Sequence, residues 1–150
     1  MGGLVAVWVV GALSLVQVGV VATQWIPKIP GVFLLVNVQT ATQLSKVQAR
    51  IPAGAEVIAS QGVIGRFGGR QWLYPYLNEF ADGQTIPVDA PIVAFVFVPN
   101  QGIEEATPAQ TEAAIAKMTA LGARKIVSTP DVTAFLWHPP KGTTTVHFDR

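Results

Sequence analysis

A glycine-rich stretch with two arginines, residues 61–70, is the part of the chain best suited to bind an anion. Its sequence, QGVIGRFGGR, follows an apolar segment, and Arg66 and Arg70 are four residues apart. Backbone N–H groups of such a loop can surround an anion, and two guanidinium groups can hold a phosphate bidentately. If the stretch is helical, this spacing places both arginines on one face. The candidate contact residues are Gln61, Gly65, Arg66, Gly68 and Arg70.

Two known phosphate-binding patterns are excluded in this stretch. The Lys-Ser/Thr pair of a P-loop is absent, and the glycine spacing differs from that of the dinucleotide-binding fingerprint. A structural alternative stays open, in which the glycines serve a turn and the arginines pair with Glu56, Glu79 or Asp82.

An aromatic cluster follows this stretch. Trp72, Tyr74 and Tyr76 occupy alternate positions, and Phe80 lies just beyond them. On an extended segment, side chains at even spacing point to the same side. The row therefore predicts a platform for sugar rings, with core packing or a place at a membrane interface as the alternatives.

The sequence contains no recognisable catalytic centre. It has no cysteine, which excludes disulfides and a cysteine nucleophile. Ser60 is not part of a G-x-S-x-G elbow, and the adjacent Glu104 and Glu105 would face different directions. His138 and His147 have no third ligand, so neither a metal nor a cofactor is predicted. The net charge of +1 gives no electrostatic reason to expect nucleic acid as a partner.

The beginning of the chain is apolar and uncharged. Charged residues make up 13 % of the sequence, and none of them lies within residues 1–27. Residues 4–22 are apolar except for Ser14 and Gln17, and about 20 apolar residues suffice for a helix to cross a membrane. The pattern predicts a transmembrane helix. A buried core helix or strand and a signal peptide are the alternatives.

The rest of the chain predicts helices alternating with strands. Residues 37–50 have the apolar spacing of an amphipathic helix. Thr107, Pro108 and Gln110 form a capping-box start for a second helix, and Gly122 suits its end. Strands are predicted at residues 56–60, 91–98, 124–128 and 132–138, and residues 71–76 are predicted to be extended or a second strand.

The predicted fold class is therefore α/β, with an N-terminal transmembrane helix followed by a small mixed-sheet α/β domain. The last two strands are expected to form an antiparallel pair at the edge of the sheet. The predicted divisions are a transmembrane anchor at residues 1–27, a connecting amphipathic helix at 28–50, an α/β globular domain at 51–138 and a tail at 139–150.

The stretch IPAGAEVIAS, with the Gly-Arg loop and the Tyr-Pro-Tyr segment after it, resembles a known family. This is a domain-of-unknown-function family of polytopic bacterial membrane proteins that are similar to GT-C glycosyltransferases. The matching residues are Ile51, Pro52, Ala55, Val57, Ala59, Ser60, Arg70, Tyr74 and Pro75. The resemblance extends over residues 1–138 and implies a C-terminal extracytoplasmic α/β domain that follows the last membrane helix.

The chain departs from the GT-C pattern in its catalytic part. GT-C enzymes carry catalytic acidic residues in loops between early membrane helices, and nothing here corresponds to those loops. The resemblance therefore implies a fragment or a stand-alone relative that lacks the catalytic half. Lys28, Lys46 and Arg50 follow the predicted span, which by the positive-inside rule favours the cytoplasm. The resemblance favours the extracytoplasmic side, which we predict.

Three functional hypotheses follow. The first is a membrane-anchored extracytoplasmic, non-catalytic binding or assembly module of a larger membrane protein or complex. The second is part of a GT-C-like glycosyltransferase acting on polyprenyl-phosphate sugars. The third is a structural accessory subunit, for which Gly11, Ala12 and Gly19 permit close helix packing. The expected partners are the lipid bilayer, other transmembrane helices or subunits, and a lipid-linked sugar.

Overall fold

A computed structural model describes residues 36–77, 83–99 and 107–149, all within a compact unit that begins at Val36. They form two α-helices, a 3-10 helix and seven strands. The helices are α1 (Val38–Arg50), the 3-10 helix (Gln61–Phe67) and α2 (Pro108–Ala120). The strands are β1 (Glu56–Ser60), β2 (Leu73–Tyr76), β3 (Gln84–Pro87), β4 (Val93–Phe97), β5 (Arg124–Ser128), β6 (Thr133–Trp137) and β7 (Thr145–Phe148).

Five of these strands form a mixed sheet in the order β2-β1-β4-β6-β5. β1 runs parallel to both β2 and β4, whereas β6 is antiparallel to β4 and β5. β1 and β4 are buried along their whole length, as is typical of strands covered on both faces. β5 lies at one edge of the sheet beside β6, as the sequence predicts.

Two apolar layers cover the sheet. On one side, the α1 face, side chains of α1 and the 3-10 helix pack against the sheet through Leu44, Val47, Val63 and Phe67. On the other side, the α2 face, α2 and the β3–β7 pair enclose an aromatic cluster. The large side chains of that cluster are Tyr76, Phe95, Phe97, Phe135, Trp137 and Phe148.

Local signals explain both α-helices. The Asn37 side chain accepts a hydrogen bond of 2.7 Å from the Thr40 backbone N–H and caps α1. The buried positions of α1 are Thr40, Leu44 and Val47, a helical spacing that leaves Val38 outside the core. α2 has the predicted capping box between Thr107 and Gln110.

The fold class predicted from the sequence is wrong in its membrane part. Each described α-helix has 13 residues, and none of the helices in residues 36–77, 83–99 and 107–149 has the length and apolar character to cross a membrane. The supported architecture is a small mixed α/β domain. The span predicted at residues 4–22 lies outside the described residues. The extracytoplasmic location stays a prediction.

A second difference concerns the end of the chain. The sequence predicts a tail over residues 139–150, but Thr145–Phe148 form β7, which pairs with β3 in an antiparallel ladder. Val146 and Phe148 are buried, and the Thr85 hydroxyl and His147 Nδ1 form a hydrogen bond of 2.8 Å. The two short strands bury alternate residues against the α2 face, so this segment belongs to the folded domain.

Candidate functional site

Arg70 binds the backbone of the turn that precedes β1. Its guanidinium donates hydrogen bonds to the carbonyl oxygens of Ile51 (3.2 Å), Pro52 and Ala53 (3.1 Å). A guanidinium has five N–H donors in a rigid fork, and here that fork connects the end of the glycine-rich stretch to the start of the sheet. The structure therefore gives Arg70 a structural task, and its role in anion binding stays a prediction.

The structure does not place Arg66 and Arg70 on one helical face. The 3-10 helix ends at Phe67, and Arg70 lies beyond it. Arg66 is exposed, and its backbone carbonyl accepts a hydrogen bond from the Gln48 side chain. Gln61, Gly65 and Gly68 are also exposed on this stretch. Because a 3-10 helix has three residues per turn, the i, i+4 spacing has no special meaning in it.

The backbone of this stretch does not require glycine at position 65. Neither Gly65 nor Gly68 has a positive φ. A methyl group added at Gly65 would meet no atom within 4 Å. The stretch is therefore an ordinary 3-10 turn with an exposed outer surface.

Replacement of Arg70 by alanine should lower the free energy of unfolding by about 1–3 kcal/mol, because three carbonyl oxygens lose a charged donor. Arg70→Lys should recover only part of this loss, since an ammonium cannot reproduce the planar fork. Arg66→Ala removes the same type of side chain from an exposed site and serves as the matched control. Urea unfolding checks the comparison. Equal stabilities of the two alanine variants would contradict a structural role for Arg70.

The aromatic residues separate into core and surface positions. Tyr76 is buried, with its ring centroid 5.3 Å from that of Phe97 and 5.1 Å from that of Phe148. Tyr74 lies on the same face of β2 but is half-buried at the margin of the cluster, and Trp72 precedes the strand. The common face follows from strand geometry. Tyr76 is therefore part of the hydrophobic core, and Phe80 lies outside the described residues.

A buried carboxyl group, which the sequence suggested only as an ion-pair partner of the arginines, lies beside Tyr74. Glu56 begins β1 and is 0 % exposed. Its Oε2 accepts hydrogen bonds from the backbone N–H groups of Asp89 (2.7 Å) and Ala90 (3.1 Å). Its Oε1 is buried without a partner in the described part of the chain. A glutamate that leads an apolar strand was the only signal in the sequence.

Burial has the largest effect on the pKa of this carboxyl group. It raises the pKa of Glu56 above its ordinary value of 4.5, the two backbone N–H groups act in the opposite direction, and the nearby Asp89 charge adds to the increase. The carboxyl group anchors the backbone at residues 89 and 90, and it has no exposed surface with which to contact a ligand.

Tyr74 and Asp89 form a second hydrogen bond just outside this anchor. The Tyr74 hydroxyl donates to Asp89 Oδ2, and this bond is the first cause of a rise in the pKa of Tyr74 to about 12. Tyr74 is therefore a protonated donor at neutral pH. The bond fixes the Asp89 carboxylate at the surface, because the other side of the residue is held through its backbone by Glu56.

Asp89 lies on an open groove of about 420 Å³, which we call the proline groove. One wall is the segment before β4, and the other is the loop between β6 and β7. The lining residues are Val88, Asp89, Ala90, Pro91, Pro139, Pro140, Lys141, Gly142 and Thr143. The Val88 backbone N–H donates to the Thr144 carbonyl (2.9 Å) and so joins the two walls.

The proline groove combines rigid apolar walls with one charged group on each side. Asp89 and Lys141 are exposed and carry opposite charges. Prolines fix their own backbone angles, so walls with three prolines lose little freedom when a ligand binds. Of the residues predicted from the sequence to contact a ligand, Tyr74 is the one that bonds directly to a residue of this groove.

Comparison of this chain with known protein families, curated proteins and solved structures finds no significant match. The resemblance to GT-C-like membrane proteins therefore stays a prediction from short motifs.

Proposed function

We propose that this chain is a non-catalytic binding domain that recognises a sugar-type ligand in the proline groove. The observation that carries the proposal is the Asp89 carboxylate, which Tyr74 and the Glu56-bound backbone hold at the groove surface. A carboxylate with two oxygens accepts several hydrogen bonds. The Tyr74 hydroxyl binds one oxygen of the Asp89 carboxylate. The remaining acceptor capacity of the carboxylate can therefore serve hydroxyl groups of a ligand.

The apolar walls complement this polar group. Ligand sites typically combine hydrophobic walls with a small number of fixed polar groups that set orientation. Val88, Pro91, Pro139 and Pro140 supply the apolar surface, and Lys141 supplies donors across from Asp89. A sugar ring has both apolar C–H faces and hydroxyl edges, and this pairing matches it.

The same geometry argues against glycosidic bond cleavage in this groove. Glycosidases use two carboxyl groups that flank the bond to be cleaved. Here the second carboxyl group, that of Glu56, is fully buried beneath the groove wall. Only Asp89 can reach a ligand from this pair, so binding without chemistry is the favoured function.

Titration of the labelled domain with glucose, mannose and N-acetylglucosamine should shift the backbone amide NMR signals of residues 88–90 and 141–143. Affinity in the millimolar range is expected for a shallow site. Asp89→Asn should weaken binding roughly tenfold, because it removes a charged acceptor. Tyr74→Phe should weaken it less, because the carboxylate stays but is no longer held in place.

Glu112→Gln is the matched control, since it makes the same change of charge on the exposed surface of α2. It should leave the affinity unchanged. The proposal fails if none of the three sugars shifts these amide signals, or if Asp89→Asn binds as tightly as the wild type while its spectrum shows an intact fold.

A further inference from the structure

A second groove, where the end of α1 meets β5, has a different chemistry. It measures about 310 Å³ and is lined by Arg50, Arg124, Lys125 and Ile126. We call it the arginine groove. All three of its charged side chains are cations, and all three are exposed. Like charges placed close together repel one another, and a surface of this kind attracts anions.

Arg50 is held in position by the sheet edge. It is the last residue of α1, and its Nη1 donates a hydrogen bond to the Ile126 carbonyl oxygen. β5 is an edge strand with an irregularity in its register between Lys125 and Val127, so the Ile126 carbonyl is accessible to a side chain. This bond uses one of the five guanidinium donors and leaves others for a ligand.

Arg124 lies on the same side of the sheet as Arg50. It pairs across the ladder with Leu136, which belongs to the α1 face. Lys125 pairs with Phe135 on the opposite face, and its Nζ lies 5.5 Å from the centre of that ring. The two arginines therefore lie on one side of the sheet edge where both can contact the same anion, and Lys125, which also lines the groove, adds positive charge.

Carboxylates of the described residues do not neutralise this groove. The two ion pairs found in residues 36–77, 83–99 and 107–149 both contact Asp149, one from Lys117 and one from His147. Neither pair involves Arg50 or Arg124. In proteins, a planar fork of N–H donors suits the oxygens of a phosphate group, and two such forks supply enough donors for all the terminal oxygens.

We propose that Arg50 and Arg124 bind a phosphoryl group, as a phosphate or a diphosphate. The site lies in a different groove from that proposed for sugar binding and does not depend on that proposal. It also differs from the anion site predicted at Arg66 and Arg70, where Arg70 already binds three carbonyl oxygens. The phosphoryl group can belong to a soluble compound or to a lipid headgroup.

The test uses inorganic phosphate and pyrophosphate, titrated at constant low ionic strength into the labelled domain. Binding should shift the amide signals of residues 49–51 and 124–126, and pyrophosphate should bind more tightly than phosphate. Arg124→Gln should weaken binding by about tenfold, through the loss of one charged fork. This variant keeps the bond between Arg50 and Ile126, so its fold should be intact.

Arg66→Gln is the matched control, because it removes the same charge from an exposed site elsewhere and should not change the affinity. Weaker binding by Arg66→Gln together with unchanged binding by Arg124→Gln would overturn the proposal in favour of the glycine-rich stretch. The proposal would also be overturned if neither anion shifts these amide signals and the vesicles do not retain the protein.

Vesicles distinguish the two sources of the phosphoryl group. The wild type and Arg124→Gln are sedimented with vesicles of phosphatidylglycerol and of phosphatidylcholine. Retention on phosphatidylglycerol that depends on Arg124 supports the proposal with a lipid headgroup as the source. Binding of free pyrophosphate without such retention supports it with a soluble phosphate. Retention that is equal for both proteins, with no binding of free anions, contradicts it.

Discussion

Replacement of Phe95 by alanine should lower the free energy of unfolding by about 3–5 kcal/mol, the range typical of a large aromatic residue lost from a core. Phe95 is 0 % exposed and lies on β4, the middle strand of the five-stranded sheet. Its ring centroid is 6.3 Å from that of Phe97, 6.0 Å from that of Trp137 and 5.9 Å from that of Phe148. The truncation therefore leaves a cavity at the centre of the α2 face.

Two control variants show whether the lower free energy of unfolding comes from the loss of core packing. Phe95→Leu keeps most of the apolar volume and should be destabilised by only about 1.5 kcal/mol. Val38→Ala truncates a residue that is 84 % exposed, and it should change stability by no more than about 0.5 kcal/mol. Urea unfolding with equal m-values provides the comparison. A Phe95→Ala domain as stable as Val38→Ala would contradict the packing of this cluster.

Replacement of Glu56 by alanine should lower the free energy of unfolding by about 2–4 kcal/mol, because two backbone N–H groups, one buried and one partly buried, lose their acceptor. Those groups belong to Asp89 and Ala90. The same change should also weaken sugar binding in the proline groove, since the Asp89 backbone is no longer anchored. Glu56→Gln keeps an acceptor oxygen and removes the buried charge, so its stability near neutral pH should stay within about 1 kcal/mol of the wild type.

The dependence of stability on pH separates the charge of Glu56 from its hydrogen bonds. Because the folded pKa of Glu56 is raised above 4.5, the folded state binds its proton more tightly than the unfolded state does. Between the two pKa values the folded state holds more protons, so the stability contributed by this group decreases as pH rises. This contribution to stability is fully present below about pH 4.5. It is lost as the pH rises through the pKa that Glu56 has in the folded state.

Unfolding of the wild type and of Glu56→Gln, each measured at a series of pH values, tests the predicted direction of this pH dependence. The stability of Glu56→Gln minus that of the wild type should increase as pH rises from about 4.5, because only the wild type loses this contribution. The difference removes the effects of the other carboxyl groups, which both proteins share. A difference that stays flat or falls over this range would show that the carboxyl group is not held in a desolvated site.

The elements defined by local contacts could be predicted from the sequence. Thr107 and Gln110 form the capping box of α2, and Gly122 has the positive φ expected after a helix end. The strand predicted at residues 56–60 has the same limits as β1. These features depend on residues within a few positions of one another, so the sequence pattern contains all the information they need.

The candidate site could not be predicted in the same way. Arg70 binds carbonyl groups 17 to 19 residues earlier in the chain, and Arg50 binds the Ile126 carbonyl 76 residues later. Both arginines are long, flexible donors, and the sequence does not specify which acceptors the fold brings within their reach. From spacing alone, the glycine-rich stretch is therefore the candidate for anion binding. Its second arginine, Arg70, instead binds backbone carbonyl groups.

The sequence by itself determined where the main strands and both described α-helices form, because periodicity and capping are local. Only the tertiary structure decided that β7 completes the α2 face, that Glu56 is buried and that Asp89 lies on a groove. Each of these facts depends on segments tens of residues apart in the chain, such as the Glu56 carboxyl group and the Asp89 and Ala90 amides. The two grooves are likewise products of chain packing, since each is lined by segments that are distant in sequence.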